Sequence, residues 1–288
     1  MNLFTQAIFS GLMTGAVYAL LGVGLVLVYR TARVLNLAHG EAFAMSGILV
    51  SLLLAWSVPF PLAIIAAICI AVALAMGLHR FLLRPRGDWP PGTLILITLG
   101  AAFVARGIMI LLVGTDPVSF PALIAGSPIR FAGGVITPQG ILLIVFGFAA
   151  AGSVGLFLTR TAMGRQMLAT AENPYAAELL GVDIERARLI AYGISGLFSA
   201  LAGILLIPLF AVDFQTGLSM TMRGFIAAAI SGMSPTRVLA SAFILGLFES
   251  MVGAYFGALA QDPVMFAILI LIALLQSRKI RFGGGVRA

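Results

Sequence analysis

The chain has 288 residues, 61% of them hydrophobic and only 9% charged, with a mean hydropathy of +1.13. A soluble domain is about half apolar and a quarter charged, so a water-soluble fold is excluded. The formal net charge of +7 would suggest a nucleic-acid partner in a soluble protein; here short basic loops that orient membrane helices account for it, and no nucleic acid is expected.

Apolar runs are continuous, as in Pro61–Leu78, where a transmembrane barrel would alternate in polarity. The fold class is therefore all-α: a polytopic membrane protein whose backbone groups are satisfied within each helix. Cys69, the single cysteine, lies in an apolar run and supports no disulfide framework. The N-terminal "MNLFTQ" lacks a positive region and reads as the start of a retained helix rather than a signal peptide.

Taken in chain order, the runs place full or near-full spans at 5–29, 42–57, 60–79, 93–114, 141–158, 189–209, 238–258 and 264–277, each near the length a bilayer requires. A shorter piece, Gly224–Met233, makes a half-span. Of the 17 basic residues, fourteen fall on one side if the loops alternate: Arg30, Arg33, Arg80, Arg84, Arg86, Arg160, Arg165, Arg186, Arg188, Arg237, Arg278, Lys279, Arg281 and Arg287. That asymmetry puts the N-terminus outside and the C-terminus inside. Arg130 and Arg223 then fall outside, and Arg106 within a span.

Residues 1–288 are expected to form a single transmembrane domain with two long loops. The external loop 115–140 is rich in Pro and Gly and reads as irregular surface without chemistry. The cytoplasmic loop 159–188 is helix-forming on both sides of Asn173-Pro174, carries the apolar group Ala176, Ala177, Leu179 and Leu180, and stops at Gly181. An exposed apolar patch of this kind suits docking to a partner; the alternative is a helix lying along the membrane surface.

Intramembrane ionisable groups are costly unless solvated or paired. Glu249 lies mid-span and suits either a polar pathway or a structural ion pair. Arg106, nearer the outer end of its span, is expected to snorkel. The stretch "LNLAHGE" places Asn36, His39 and Glu41 between two apolar runs. A zinc enzyme needs three protein ligands, and the only other histidine is His79, so no metal site is expected. No Ser/His/Asp set or phosphate loop occurs, so the chain is not expected to be an enzyme or to bind a cofactor. What stands out is interruption: a break at Arg30–Gly40 and a half-span ending in Ser234-Pro235. Interrupted segments in the two halves of a chain point to a translocation site, and non-helical backbone at membrane depth is tolerated where protein or water surrounds it. Asn36, His39 and Glu41 are therefore expected to line an aqueous vestibule or its gate, with Glu249 as an addition.

"LNLAHGE" (Leu35–Glu41) resembles the signature of bacterial high-affinity branched-chain amino acid ABC permeases, in particular their shorter membrane subunit. The segments Gly11–Glu41 and Gly164–Leu205 are similar to that subunit throughout. The resemblance implies an ABC importer permease architecture, here of about eight spans plus a half-span. It also implies a multi-pass subunit of the bacterial inner membrane. Its expected partners are a second permease subunit (a longer homologue), two cytoplasmic ATPases and a periplasmic substrate-binding protein. ATP and Mg would be used by the ATPases. Ala176, Ala177, Glu178 and Leu179, followed by Gly181, resemble the coupling motif with which such permeases meet their ATPases.

The family's glycine-rich run near the last interrupted segment is replaced here by "ISGMSPTRVLASA", with Pro235 and Arg237, and its tail is only echoed in "QSRKIRFGGG". The resemblance implies inward transport of branched-chain or other hydrophobic amino acids, or of a similar small solute such as urea, an amide or an aromatic acid. The alternative is a self-sufficient secondary transporter or channel that uses Glu41 and Glu249 as ion sites.

Overall fold

The structure is a computed structural model that describes residues 2–87 and 89–283. Its first helix, α1 (Leu3–Ala32), is the axis of the bundle. Asn2 caps it, the side-chain oxygen accepting the Phe4 N–H, which satisfies one of the free donors of a helix start. Helix α1 ends at Arg33, whose φ of 56° is left-handed. The following helices are α2 (His39–Ala55), α3 (Phe60–Gly77), α4 (Pro91–Val113), α5 (Pro138–Arg160), α6 (Ala162–Glu172), α7 (Pro174–Leu179), α8 (Ile184–Leu206), α9 (Thr216–Ile230), α10 (Val238–Phe256) and α11 (Gln261–Gly283). Strands β1 (Ile129–Phe131) and β2 (Gly134–Ile136) pair antiparallel, with Arg130 opposite Val135.

Position in the bundle follows from composition. The most apolar 18-residue stretch of α1 is 83% buried, whereas that of α3 is 17% buried. The first is rich in small residues and packs on α10, α8, α5 and α9; the second presents Leu62, Ile65 and Leu74 outward, as a lipid-facing helix does. The contact between α1 and α10 is extensive and close: a methyl at Gly11 would stand 2.7 Å from the Leu247 Cα, and one at Gly246 would collide with the Gly15 backbone. Small residues allow this approach where hydrophobicity offers no drive between helices in lipid.

Among the described residues, six helices are long and apolar enough to cross a membrane, in agreement with the all-α polytopic fold read from composition. Two expected spans are covered by shorter apolar helices, His39–Ala55 and Ala258–Ile272. The half-span expected at Gly224–Met233 is instead the 15-residue α9, which begins at Thr216. Its polar first turns hid it from a reading based on apolarity. The start is set by Asp213, whose carboxylate accepts the N–H groups of Gln215 and Thr216 while the Thr216 hydroxyl oxygen accepts the Asp213 N–H, a reciprocal cap.

The loop expected to be irregular at 115–140 contains the β-hairpin and is tied down. The Asn2 N–H donates to the Gly133 carbonyl, Gln6 exchanges two hydrogen bonds with Val135, and Val118 pairs with Val212 in a two-bond bridge. At the other end, α6 and α7 form the 159–188 connection. Asn173 caps α7 through the Ala176 N–H, and Gly181 takes φ 81° just past its end. Arg287 of the basic tail lies outside the described residues.

Candidate functional site

The chain does not leave the bundle after α1. Residues 33–38 fold back so that His39, the first residue of α2, hydrogen-bonds to the Leu21 carbonyl, about three turns below the end of α1. Non-helical backbone inside a bundle must find partners, and side chains supply them. The Leu37 N–H donates to the Thr98 hydroxyl of α4, the Thr98 hydroxyl reaches the Leu35 carbonyl, and the Gly40 N–H donates to the Thr221 hydroxyl of α9. The Asn36 side chain accepts the Ala38 N–H.

The N-termini of α2 and α9 meet here. A methyl at Gly40 would collide with the Gly217 carbonyl and the Thr221 hydroxyl, and one at Gly217 would come 2.6 Å from Glu41 Oε2. Only glycine at both positions allows the approach.

His39 is fully engaged. Its Nε2 lies 3.1 Å from the Leu21 carbonyl, which can only accept, so Nε2 carries the proton; Nδ1, 2.8 Å from Ser195 Oγ, then accepts that hydroxyl's proton. Ser199 donates to the His39 carbonyl. The imidazole thus ties α1, α2 and α8 together in one tautomer.

Glu41 is buried, and Arg106 of α4 binds it: Nε at 3.0 Å and Nη2 at 2.8 Å, both on Oε1. Arg106 does not snorkel as expected. Its side chain is 14% exposed and crosses to α2, because neutralising a buried carboxylate outweighs reaching the surface. Oε2 of Glu41 has no hydrogen-bond partner among the described residues.

Asn36, His39 and Glu41 line one cavity of about 740 Å³ between α2, α3 and α4, whose walls are otherwise apolar, with Ile70, Leu74, Val104 and Ile108. Arg106 lines a different cavity of about 270 Å³, with Ser219 and Arg223 of α9 and Asp262 and Phe266 of α11. The Glu41–Arg106 pair therefore joins a residue of one cavity to a residue of the other.

Glu249 is apart from Asn36, His39 and Glu41. It is buried on α10, accepts from the Tyr18 hydroxyl and is held at 2.9 Å by Arg223 Nε. Arg223 Nη2 reaches Asp262 at 2.7 Å, and Nη1 donates to Ser219. Arg223 thus lies inside the bundle, not in an external loop. Reading the sequence missed Arg223, Tyr18, Thr221 and Ser195 as partners; the one available signal was that two buried glutamates need two cations, and Arg106 and Arg223 stood in the same apolar context.

The expected coupling residues lie together on α7 and, for Gly181, just past its end. Ala177 is buried, Ala176 partly so, and Glu178, Leu179 and Gly181 are exposed, with Leu179 at 71%. Tyr175 and Leu180, at 71% and 84%, enlarge the patch. Among the described residues no group of three or more His, Cys, Asp or Glu is placed to hold a metal.

Buried ion pairs around non-helical backbone in a bundle of apolar helices mark a polytopic membrane protein. Residues 7–274 match the family described as the branched-chain amino acid transport system permease component, and the chain belongs to that family. It is 29% identical to the high-affinity branched-chain amino acid transport system permease protein LivH of Salmonella typhimurium over 95% of this chain and 94% of the relative. It is 26% identical to BraD of Pseudomonas aeruginosa, described in the same terms, over the same shares. It is 28% identical to the autoinducer 2 import system permease protein LsrC of Yersinia enterocolitica over 95% of this chain and 71% of that one. Among solved structures, PsaBC from Streptococcus pneumoniae in complex with Fab shares the fold, with a TM-score of 0.53 at 14% identity over 95% of this chain and 91% of that one. The chain is accordingly a multi-pass inner-membrane permease subunit of an importer for amino acids or related solutes, and not an enzyme.

Proposed function

We propose that the chain forms half of the pore of a binding-protein-dependent ABC importer and passes a branched-chain or other hydrophobic amino acid, or a small amide-like solute, into the cytoplasm. The observation that carries the reading is Glu41: one oxygen gripped by Arg106, the other buried without a donor, beside a cavity. An ammonium or amide N–H of a passing solute is what such an oxygen lacks. Asn36, His39 and Glu41 form the pathway or gate in this reading, and Glu249 supports it through Arg223. The partners are a second permease subunit, two cytoplasmic ATPases that use ATP and Mg, and a periplasmic binding protein. Residues 1–288 act as one transmembrane domain with the N-terminus periplasmic, the C-terminus cytoplasmic, loop 115–140 outside and loop 159–188 inside.

The coupling element is α7 in this reading, and two arginines carry its movement. Arg33 Nη2 binds the Ala171 carbonyl of α6 at 2.6 Å, and Arg188 Nε meets the Thr31 carbonyl at 3.4 Å. Both bonds end at the break that leads into Asn36–Glu41. That Glu41 and Glu249 are each neutralised by an arginine favours this reading over a secondary transporter with free carboxylates. The test is Glu178→Ala with Leu179→Ala in the assembled transporter. Uptake should be lost while the permease still inserts and pairs; persistence of both ATPase association and uptake would overturn the assignment.

A further inference from the structure

Helix α3 does not end cleanly at Gly77. It widens into a π-helical turn, Leu78–Leu83, and tightens into a 3₁₀ turn, Arg84–Arg86; π segments recur at functional sites. His79 lies in that turn, 4% exposed, with its ring stacked on Tyr192 of α8 at 4.9 Å between centroids. Its Nε2 stands 3.5 Å from Glu185 Oε2, and neither ring nitrogen makes a hydrogen bond among the described residues. A buried imidazole left this way calls for an explanation.

His79 lines a cavity of about 260 Å³ with Arg80, Arg84, Asp183, Glu185 and Arg186. Glu185 is already ion-paired, although its Oε2, which faces His79, makes no hydrogen bond among the described residues. Glu185 takes Arg188 at 2.9 Å and Arg84 at 3.3 Å, and Asp183 caps α8 by accepting the Arg186 backbone N–H. Arg80 and Arg186 are exposed, and their side chains make no ion pair among the described residues. The cavity lining thus carries Arg80, Arg84 and Arg186 against Asp183 and Glu185, with Arg80 and Arg186 outside any ion pair among the described residues, a balance that suits an anion. Phe81, 73% exposed beside Arg80, and the outward Leu74 and Ile70 continue one side of α3 as an apolar track.

We propose that His79, Arg80, Arg84 and Arg186 bind a phosphate-bearing anion, the headgroup of an anionic phospholipid whose acyl chain lies along α3. Basic pockets at the ends of transmembrane helices take such headgroups. The headgroup site shares no residue with Asn36, His39 or Glu41 and stands whichever solute is carried, while Leu74 and Phe81 of the acyl track border their cavity from the α3 side.

The test uses the full chain purified in neutral detergent, with native mass spectrometry counting bound phosphatidylglycerol, phosphatidylcholine or inorganic phosphate. The wild type is compared with Arg80→Gln/Arg186→Gln and with His79→Gln, and thermal melting confirms that each is folded. Phosphatidylglycerol should be retained over phosphatidylcholine, and retention should fall about fivefold for each arginine removed. If inorganic phosphate displaces the lipid and loses binding in the same variants, the site is a phosphate site whose source is free anion. Equal retention of phosphatidylglycerol by wild type and the folded double variant, or no preference over phosphatidylcholine together with no phosphate binding, overturns the proposal.

Discussion

Arg106 of α4 places two N–H groups, at 3.0 and 2.8 Å, on a single oxygen of Glu41, 65 residues away in α2. Removing the cation alone would leave a buried carboxylate uncompensated, which costs about 3–5 kcal/mol. Arg106→Leu should therefore lower the thermal midpoint of the purified protein sharply. The double variant Arg106→Leu/Glu41→Leu should recover most of that loss, because two apolar groups need no partner. An Arg106→Leu midpoint equal to wild type would show that the pair contributes nothing to the fold.

Arg223 serves three acceptors on three sides, Glu249, Asp262 and Ser219. A lysine ammonium cannot reproduce that planar fork. Arg223→Lys should destabilise the protein by about 1–3 kcal/mol, the range for hydrogen bonds lost from buried charged groups. Asp262 is 68% exposed, so Asp262→Asn should change stability by less than about 1 kcal/mol. Chemical denaturation in detergent ranks the two, and the reverse order would contradict the geometry.

Gly40 has no room for a methyl against Gly217 and Thr221, whereas Gly100 on α4 has open space around it. Gly40→Ala should force α2 and α9 apart and reduce folded yield severely. Gly100→Ala should be neutral or slightly stabilising, by up to about 1 kcal/mol, since alanine favours the helix. Size-exclusion profiles of the two variants make the comparison.

Arg33 reaches the Ala171 carbonyl across 138 residues of sequence. The bond is part-buried and single, so Arg33→Gln should cost only about 1 kcal/mol of stability. Its effect should instead fall on coupling: in the assembled transporter, ATP hydrolysis persists while solute uptake per ATP falls. Unchanged stoichiometry would remove Arg33 from the linkage.

Much of this architecture is readable from residues alone, because lipid imposes a simple code. Runs of apolar residues must be helices, and the start of α7 is legible in Asn173-Pro174, where a capping side chain precedes a proline that has no N–H to satisfy. The same code misplaced α9. Thr216, Ser219, Thr221 and Arg223 lower its hydropathy, yet they are helical because each finds a partner in the helix itself or on its neighbours. Likewise, Asn36, His39 and Glu41 stood out as a polar break, but nothing in their order shows that the break turns back into the bundle.

Composition and periodicity determined the class of molecule, its helices and the polar residues that need an explanation, since burying backbone in lipid leaves one regular solution. Two buried glutamates and two buried arginines, however, admit two pairings. The choice of Glu41 with Arg106 and Glu249 with Arg223 was decided by the packing that sets α4 beside α2 and α9 beside α10. Ion pairing acts over a few ångströms, and that proximity is a property of the packed bundle, not of the order of residues along the chain.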